Sequence, residues 1–438
     1  MKPSPLWRAI LAIAIPSMLT NVATALFGLA DMWVIGRLGE AAAQGGVEVG
    51  AKLLMTLLIV FNFLKTGTVA LAAQAAGRGA AEDQAAVLTR GVAAALFVGV
   101  ILLALWPLAV PAGLALLGAG EEVAPMARTY VDIRYAGGVA WLVNAVLTGW
   151  LIGRRQVRAV LVVEVAANLF HIALDLLLVL GLGWGVAGVA VATLASEGAK
   201  TCALVAICGG QPPARAALGL VRRRETWRMA ELSALFRLNR DLFLRTLLLM
   251  SATVIVTRAG AQQGAVVLAA NAILFQLFML ATLMLDGFES AAQVLCGEAA
   301  GAKDRARFTA SVRALLAWAA GAAAVMAGTY LAFGEALAAS FSTDPQVIAA
   351  ARTYAVWAVV LPLAGVASFV FDGVFIGAAW TRAMLISMAA ALGVFLLALW
   401  LTAPLGNHGL WLAFSLFFVA RGAGQGLMTP RLMRTRLG

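Results

Sequence analysis

Residues 91–118 read GVAAALFVGVILLALWPLAVPAGLALLG, and this stretch contains no charged side chain. An α-helix of about 20 apolar residues is long enough to cross the hydrocarbon core of a bilayer, which is about 30 Å thick. The stretch therefore predicts a transmembrane helix.

Apolar runs of this kind recur along the whole chain. Its 438 residues are 63% hydrophobic and only 12% charged, with a mean hydropathy of +0.93, far more apolar than an average soluble domain. We predict helices near residues 9–36, 46–76, 87–118, 123–153, 158–181, 186–209, 232–258, 265–300, 309–333, 345–377, 382–404 and 408–428. The sequence thus predicts an all-α, polytopic membrane protein with twelve transmembrane helices and no soluble domain.

The net charge of +11 comes from basic residues that lie mostly in every second connector between these helices. Examples are Arg78, Arg154, Arg222 and Arg305, whereas Glu121 and Glu122 lie in an intervening connector. By the positive-inside rule, we expect a multi-pass protein of a bacterial inner membrane with both termini in the cytoplasm. Arg37, Lys52 and Arg258 fall on predicted outer connectors and disagree with this orientation. The charge is explained by topology, so we expect no nucleic-acid partner.

Two segments of the chain resemble each other. Gly149 to Gly153 followed by Arg158 matches Gly373 to Gly377 followed by Arg382, and the glycines and the arginines are separated by the same length of chain. A second pair, Ala72-Ala73-Gln74 and Ala291-Ala292-Gln293, lies at a slightly shorter spacing. Two such matches predict a duplication of six helices, hence two pseudo-symmetric six-helix lobes related by an axis along the membrane normal and enclosing a central cavity. We expect an N-lobe at 1–208, a cytoplasmic linker at 209–231 and a C-lobe at 232–438.

The fifth predicted helix carries polar residues on one face. Glu164, Asn168, His171 and Asp175 follow i, i+4, i+7, i+11 spacing. Charged residues inside a bilayer are costly and usually serve a transport pathway. Burial disfavours the charged form of a carboxylate, and imidazole exchanges protons near neutral pH, so His171 and Asp175 are candidates for proton exchange. The alternative is that these groups only hydrogen-bond each other and neighbouring helices.

Further polar residues fall inside or near predicted helices. Asp31 lies late in the first helix, and Pro16 in the same helix can produce a bend there. The other candidates are Lys65, Arg134, Asn144, Glu197, Lys200, Asp241, Arg245, Asn271, Asp286, Glu289 and Asp372. Glu197 could pair with Lys200 at i, i+3, and Asp241 with Arg245 at i, i+4. Asn144 and Asn271 could instead hold helices together.

Several motifs together resemble one transporter family. They are Pro16 to Asn21, Gly28 to Asp31, Val34 to Gly39, Lys65 to Thr68, Ile133-Arg134, Gly149 to Gly153, Leu174-Asp175, Gly185 to Thr193, Asp286 to Phe288 and Asp372 to Gly377. In order and spacing they resemble the multidrug and toxic compound extrusion family, in particular its branch named after DNA-damage-inducible protein F. The resemblance extends over nearly the whole chain.

The resemblance implies a secondary antiporter with a V-shaped cavity between two lobes. Inward movement of protons or sodium would drive export of small organic compounds, often cationic. Asp31 matches the family's first-helix carboxylate, Pro16 the proline where that helix bends, Asp175 the fifth-helix carboxylate and Thr193 a sixth-helix hydroxyl. Sodium, if it is the coupling ion, would bind at Asp31, Asp175 and Thr193. Asn168 occupies a familiar position, but His171 stands where the family usually has Asn, which favours proton over sodium coupling.

We therefore predict an antiporter whose ion-coupling residues are Asp31, Asn168, His171, Asp175 and Thr193, with Pro16 as the hinge of the first helix. The predicted substrate cavity comprises Asn21, Lys65, Arg134, Asn144, Glu164, Glu197, Asn271, Asp286 and Asp372. We expect a monomer in the lipid bilayer, with a small-molecule substrate and no cofactor apart from the coupling ion. A flippase for lipid-linked precursors remains one alternative. An integral-membrane enzyme is another, although His171 and His408 are the only histidines and Cys202, Cys208 and Cys296 are too scattered for a metal site.

Overall fold

The computed structural model describes residues 6–118 and 120–437. This part of the chain contains sixteen α-helices and no β-strand. The two ends of the chain, to which the expected cytoplasmic orientation of the termini refers, lie outside the described residues.

The first half of the chain contains nine helices. They are α1 (Leu6–Gly36), α2 (Ala41–Ile59), α3 (Phe63–Gly77), α4 (Ala81–Leu116), α5 (Val123–Arg134), α6 (Gly137–Gly153), α7 (Val157–Asp175), α8 (Gly185–Gly209) and α9 (Pro212–Leu220). A 3-10 turn, Val60–Asn62, joins α2 to α3, and a π-helical segment, Leu176–Gly181, continues α7.

The second half contains seven helices. They are α10 (Met229–Ala261), α11 (Ala265–Gly301), α12 (Arg305–Phe341), α13 (Pro345–Tyr354), α14 (Val356–Gly377), α15 (Thr381–Leu401) and α16 (Asn407–Arg436).

The number of membrane-crossing segments agrees with the prediction. Within the described residues, eleven helical segments are long and apolar enough to span a bilayer, and α5 with α6, bent by 52° to each other, makes a twelfth. The stretch at 91–118 lies mostly in α4, where Phe97, Val100 and Leu108 are exposed. Apolar side chains on the outer surface of a helix bundle are stable only against lipid, so the predicted polytopic membrane fold is confirmed.

The chain divides into two compact units. The N-unit comprises Leu19–Leu235, and the C-unit comprises the residues up to Met18 together with those from Phe236 onward. Helix α1 runs without a break through Pro16 and passes from the C-unit to the N-unit two residues later. The lobe boundaries expected at residues 208 and 232 remain predictions.

Four glycines show the duplication at atomic level. Side chains at Gly149 and Gly153 of α6 would overlap the backbone carbonyls of Lys65 and Val69 in α3. Side chains at Gly373 and Gly377 of α14 would likewise overlap the carbonyls of Glu289 and Gln293 in α11. Each residue of the second set follows its counterpart at the spacing predicted from the glycine motif.

The second pair of motifs, Ala72-Ala73-Gln74 and Ala291-Ala292-Gln293, does not follow this alignment of the two halves. These backbone contacts match Val69 with Gln293, whereas the alignment of the two Ala-Ala-Gln segments would match Gln74 with Gln293. The two segments are therefore not equivalent in the fold, and their likeness reflects only the preference of close-packed membrane helices for small residues.

Candidate functional site

The polar face predicted for α7 is buried inside the N-unit. Glu164, Asn168, His171 and Asp175 are all buried, with Asp175 and His171 wholly inaccessible. On the opposite side of the helix, Val162 and Leu169 are exposed. The period of α7 thus directs its apolar residues to lipid and its titratable residues to the interior.

The imidazole of His171 joins three helices. Its Nε2 atom lies 3.0 Å from Asp31 Oδ1 in α1, 3.4 Å from Asp175 Oδ2 in α7 and 3.2 Å from Thr193 Oγ1 in α8. All four side chains are buried, and the ring of Phe27 stacks on the imidazole at 4.5 Å. We call these four residues the His171 cluster.

The His171 cluster contains more acceptors than hydrogens. Thr193 Oγ1 already donates its hydrogen to Val189 O at 2.9 Å, so it can only accept from His171. Neither carboxylate oxygen of Asp175, nor Oδ1 of Asp31, has a well-aligned hydrogen-bond donor among the described residues. One Nε2 hydrogen can bind only one of the three facing oxygens at a time. The remaining oxygens are available to a further proton or to a cation.

The same oxygens suit a small cation. Donor atoms of Asp31, His171 and Asp175 lie within 4.8 Å of one another, and carboxylate and hydroxyl oxygens are ligands of hard cations. The Nε2 atom, however, occupies the point at which the three oxygens converge. A cation that contacted all three oxygens would therefore have to displace the imidazole from this point.

A second chain of contacts leads from Asp31 to a cation. Tyr130 donates its hydroxyl hydrogen to Asp31 Oδ2 at 3.4 Å and accepts from Arg134 Nη1 at 2.7 Å. Arg134, predicted to line the substrate cavity, thus contacts Asp31 through Tyr130. Sequence analysis missed Tyr130, although its i, i+4 spacing from Arg134 was a usable signal.

Glu164 forms a separate buried ion pair in the N-unit. Its Oε2 atom lies 2.8 Å from Lys200 Nζ, and its Oε1 atom accepts from Thr24 Oγ1 at 3.0 Å. Lys200 reaches across from α8 to α7 for this ion pair, and the charge of Glu197, its predicted partner on the same helix, also stabilises the Lys200 cation. Glu197 Oε2 accepts from Asn144 Nδ2 at 2.8 Å.

Asp372 is the centre of a buried cluster in the C-unit. Arg245 and Gln425 donate to its carboxylate, Gln425 at 2.7 Å, and Arg421 Nη2 lies 3.3 Å away. The predicted pairing of Arg245 with Asp241 is wrong, since Asp241 lies 2.8 Å from Arg240 instead. The interior of the unit offers Arg245 a buried carboxylate, which leaves neither charge unpaired.

Arg421 was not among the candidate residues. It is buried against the rings of Phe369, Phe417 and Phe418 and donates to Ser368 Oγ at 3.1 Å. The sequence could have indicated Arg421, because a single arginine within the apolar run of α16 is as unusual in a membrane-spanning helix as Asp372 is in α14.

The remaining predicted cavity residues lie at several places in the two units. Asn271 and Asn407 bond each other through both amide groups at 2.8 Å, and Trp411 also donates to Asn271, an arrangement that favours the helix-packing alternative. Asn21 and Lys65 are half-buried on α1 and α3, and Asp286 is half-buried on α11. Asn168 donates to the Glu164 carbonyl at 3.0 Å and has a buried Oδ1 atom.

Comparison with known families connects this geometry to transport. The MatE family model matches residues 16–177 and again residues 242–401, so each half of the duplicated chain carries one copy. The chain belongs to the MatE family. Family members are transporters and not enzymes, so this chain is a MATE efflux transporter, and the enzyme alternative is excluded.

Related sequences and structures agree with the MATE assignment. The chain is 35% identical to "DNA damage-inducible protein F" of Escherichia coli over 95% of its length and 90% of the relative's. It is 28% identical to "Probable multidrug resistance protein NorM" of Thermotoga maritima over 43% of its length and 42% of the relative's.

Solved MATE structures share the fold. One in the bent conformation has a TM-score of 0.88 at 20% identity and covers 99% of this chain and 97% of the other. The Vibrio cholerae MATE transporter VcmN in the bent form also has a TM-score of 0.88, at 19% identity, with 98% of each chain covered. At these identities the likeness concerns the fold alone.

Proposed function

We propose that this MATE transporter is a proton-coupled antiporter that exports small cationic or amphipathic organic compounds and exchanges its protons at the His171 cluster. The observation that supports this proposal is the position of the buried Nε2 atom, which lies within 3.4 Å of oxygens of Asp31, Asp175 and Thr193. An Nε2 atom without a hydrogen would repel a carboxylate oxygen 3.0 Å away. At least one exchangeable hydrogen is therefore shared within the cluster.

In the proposed cycle, protons entering from outside neutralise Asp31 and Asp175. Neutralisation removes the attraction of both carboxylates for a cationic substrate and weakens their contacts with His171. Asp31 and Pro16 belong to the same helix, so the altered contacts change the bend of α1 at Pro16. The substrate is then released outward, and the lobes alternate in access between the two sides of the membrane.

The substrate class follows from the charges that remain available. Lys200 pairs with Glu164, so Asp31 and Asp175 carry the negative charge of the His171 cluster that competes for protons and cations. Arg134, which two hydrogen bonds link to Asp31 through Tyr130, moderates that charge and suits amphipathic compounds as well. The flippase alternative has no specific support, because carboxylates dominate the surroundings of His171.

Proton entry can supply the energy for export. One charge that crosses a potential of 100 mV releases about 2.3 kcal/mol, and a pH gradient adds to it. We propose that the transporter acts as a monomer in a bacterial inner membrane, with both termini in the cytoplasm and with no cofactor apart from the coupling ion. Sodium at Asp31, Asp175 and Thr193 is the competing choice of ion.

Proteoliposomes of the purified chain test this proposal. A fluorescent lipophilic cation such as ethidium should dissipate an imposed proton gradient and leave an imposed sodium gradient unchanged. Asp31→Asn and Asp175→Asn should each abolish this flux while inserting normally. Asp83→Asn is the matched control, because Asp83 pairs with Arg78 at the exposed surface. Full proton flux in both variants would refute the mechanism. Dissipation of the sodium gradient alone would mean that sodium, and not the proton, is the coupling ion.

A further inference from the structure

The connector between α8 and α10 is folded against the N-unit. Pro213, Ala214, Ala217 and Leu220 form the buried face of α9. Thr89 Oγ1 of α4 donates to the carbonyl of Ala217 at 3.1 Å. Helix α9 is therefore fixed along α4.

The chain beyond α9 is fixed to the same helix. Arg90 Nε donates to the carbonyl of Thr226 at 2.8 Å, and Arg90 Nη1 lies 2.9 Å from Glu231. Arg223 pairs with Glu82 at the start of α4 at 2.6 Å. The connector thus has a defined surface, which we call the α9 surface and which comprises residues 215–229.

Besides Arg215, which donates to the Gly209 carbonyl, three arginines of the α9 surface have no acidic partner among the described residues. Arg222, Arg224 and Arg228 are exposed, and none of them forms an ion pair within the described part of the chain. They flank the carboxylate of Glu225 in sequence, but the surface retains a net positive charge. Such a surface attracts anions.

The same surface exposes large apolar side chains. Leu218 is 81% exposed, Met229 is 78% exposed, and Val221 is 51% exposed. Trp227 is half-buried beside them and donates its indole hydrogen to the Val221 carbonyl at 2.9 Å. Arginine, tryptophan and exposed aliphatic residues on one short segment are typical of chain that lies at the boundary between headgroups and acyl chains.

The connectivity keeps this segment at the membrane surface. Helices α8 and α10, which end and begin at Gly209 and Met229, are both long enough to span the bilayer. The short connector between them therefore cannot move far from the headgroups. We propose that the α9 surface binds the phosphate headgroups of anionic phospholipids through Arg222, Arg224 and Arg228, while Leu218, Val221 and Met229 contact the acyl chains.

The chemistry favours a phosphodiester over other anions. A guanidinium group presents paired N–H donors that match two oxygens of one phosphate. The adjacent aliphatic side chains give a lipid phosphate an advantage over inorganic phosphate, because only the lipid carries acyl chains. This site is separate from the His171 cluster, so the inference does not depend on the proposed coupling ion.

Lipid titration of the purified full-length protein tests the site. Short-chain phosphatidylglycerol should raise the thermal unfolding temperature in detergent, whereas phosphatidylcholine and inorganic phosphate should not. The triple variant R222Q/R224Q/R228Q should require at least ten-fold more phosphatidylglycerol for the same shift. The single variant Arg224→Gln should lie between the two, and it keeps the test valid if the triple variant fails to fold.

A charge-matched control identifies the surface. R431Q/R434Q/R436Q removes three exposed arginines from the end of α16 and should leave the lipid response unchanged. Equal losses in both triple variants would mean a general effect of net charge and would refute the α9 surface as a site. An equal response to phosphatidylcholine, or to inorganic phosphate, would refute recognition of an anionic lipid.

Discussion

The Nε2 atom of His171 lies among oxygens contributed by three helices. In the proposed mechanism, a hydrogen on this atom exchanges with the carboxylates of Asp31 and Asp175, which lie 3.0 and 3.4 Å away. A metal ion in that position would instead need all three oxygens at once. We therefore expect the side chain at position 171 to decide which ion the cluster accepts.

Replacement of this imidazole should change the coupling ion from the proton to sodium. In His171→Asn, the amide cannot exchange a proton near neutral pH, and its oxygen becomes an additional ligand beside Asp31 and Asp175. We expect efflux driven by a proton gradient to fall at least ten-fold and efflux to become stimulated by sodium, both measured in proteoliposomes. His408→Asn is the control, because His408 lies exposed at the start of α16. Unchanged proton-driven efflux in His171→Asn would exclude the imidazole from coupling.

At the scale of elements, α3 with α6 and α11 with α14 are two copies of one close-packed pair. Both pairs depend on glycines that face a carbonyl of the neighbouring helix, namely Gly149 against Lys65 and Gly373 against Glu289. Lipid tails are as apolar as the surfaces of the helices, so the hydrophobic effect does not drive helices together in a bilayer. Van der Waals contact at such close approach is therefore a main source of their attraction.

A methyl group added at one of these glycines should lower the stability of the protein. Gly373→Ala would force α14 away from the backbone of α11, and we expect a loss of stability on the order of 1–3 kcal/mol, as for other overpacked interiors. The check is the thermal unfolding temperature in detergent. Gly321→Ala in α12 meets no atom within 4 Å and should be neutral or slightly stabilising. Equal effects of the two substitutions would mean that the close approach is not needed.

The elements and their faces were largely predictable, but their partners were not. Apolar runs were sufficient for the transmembrane helices, and helical period placed Glu164, His171 and Asp175 on one face, because both features depend only on local sequence. The partner of Lys200 depends on how α7 meets α8, which no spacing within one helix can specify. The contact between Tyr130 and Asp31 and the π-helical segment after Asp175 were missed for the same reason, since tertiary contacts decide them.

At the scale of the whole molecule, the two units differ in how their protein surroundings hold a buried carboxylate. In the N-unit, Asp175 has no well-aligned hydrogen-bond donor among the described residues. In the C-unit, Asp372 is held by Arg245, Arg421 and Gln425. One carboxylate thus has no fixed hydrogen-bond partner, whereas the other is held between two cationic side chains.

This difference predicts that replacing aspartate by asparagine lowers the stability at one position and leaves it unchanged at the other. Asp372→Asn would leave two buried guanidinium groups without their anion, and we expect it to destabilise the protein by about 3–5 kcal/mol. Asp175→Asn leaves no cation unpaired and should keep the wild-type unfolding temperature. Fluorescence-detected size-exclusion after stepwise heating measures both variants. A thermally normal Asp372→Asn would show that the cluster does not stabilise the C-unit.

The division of α1 between the two units has a consequence for biosynthesis. Gly287 packs against Ala14 and Met18, so the beginning of the chain belongs with residues that emerge late from the ribosome. At roughly 5–20 residues per second, translation of Leu19–Leu235 takes on the order of 10–40 seconds. During that interval the translocon or a chaperone must shield the first turns of α1, whose permanent neighbours do not yet exist.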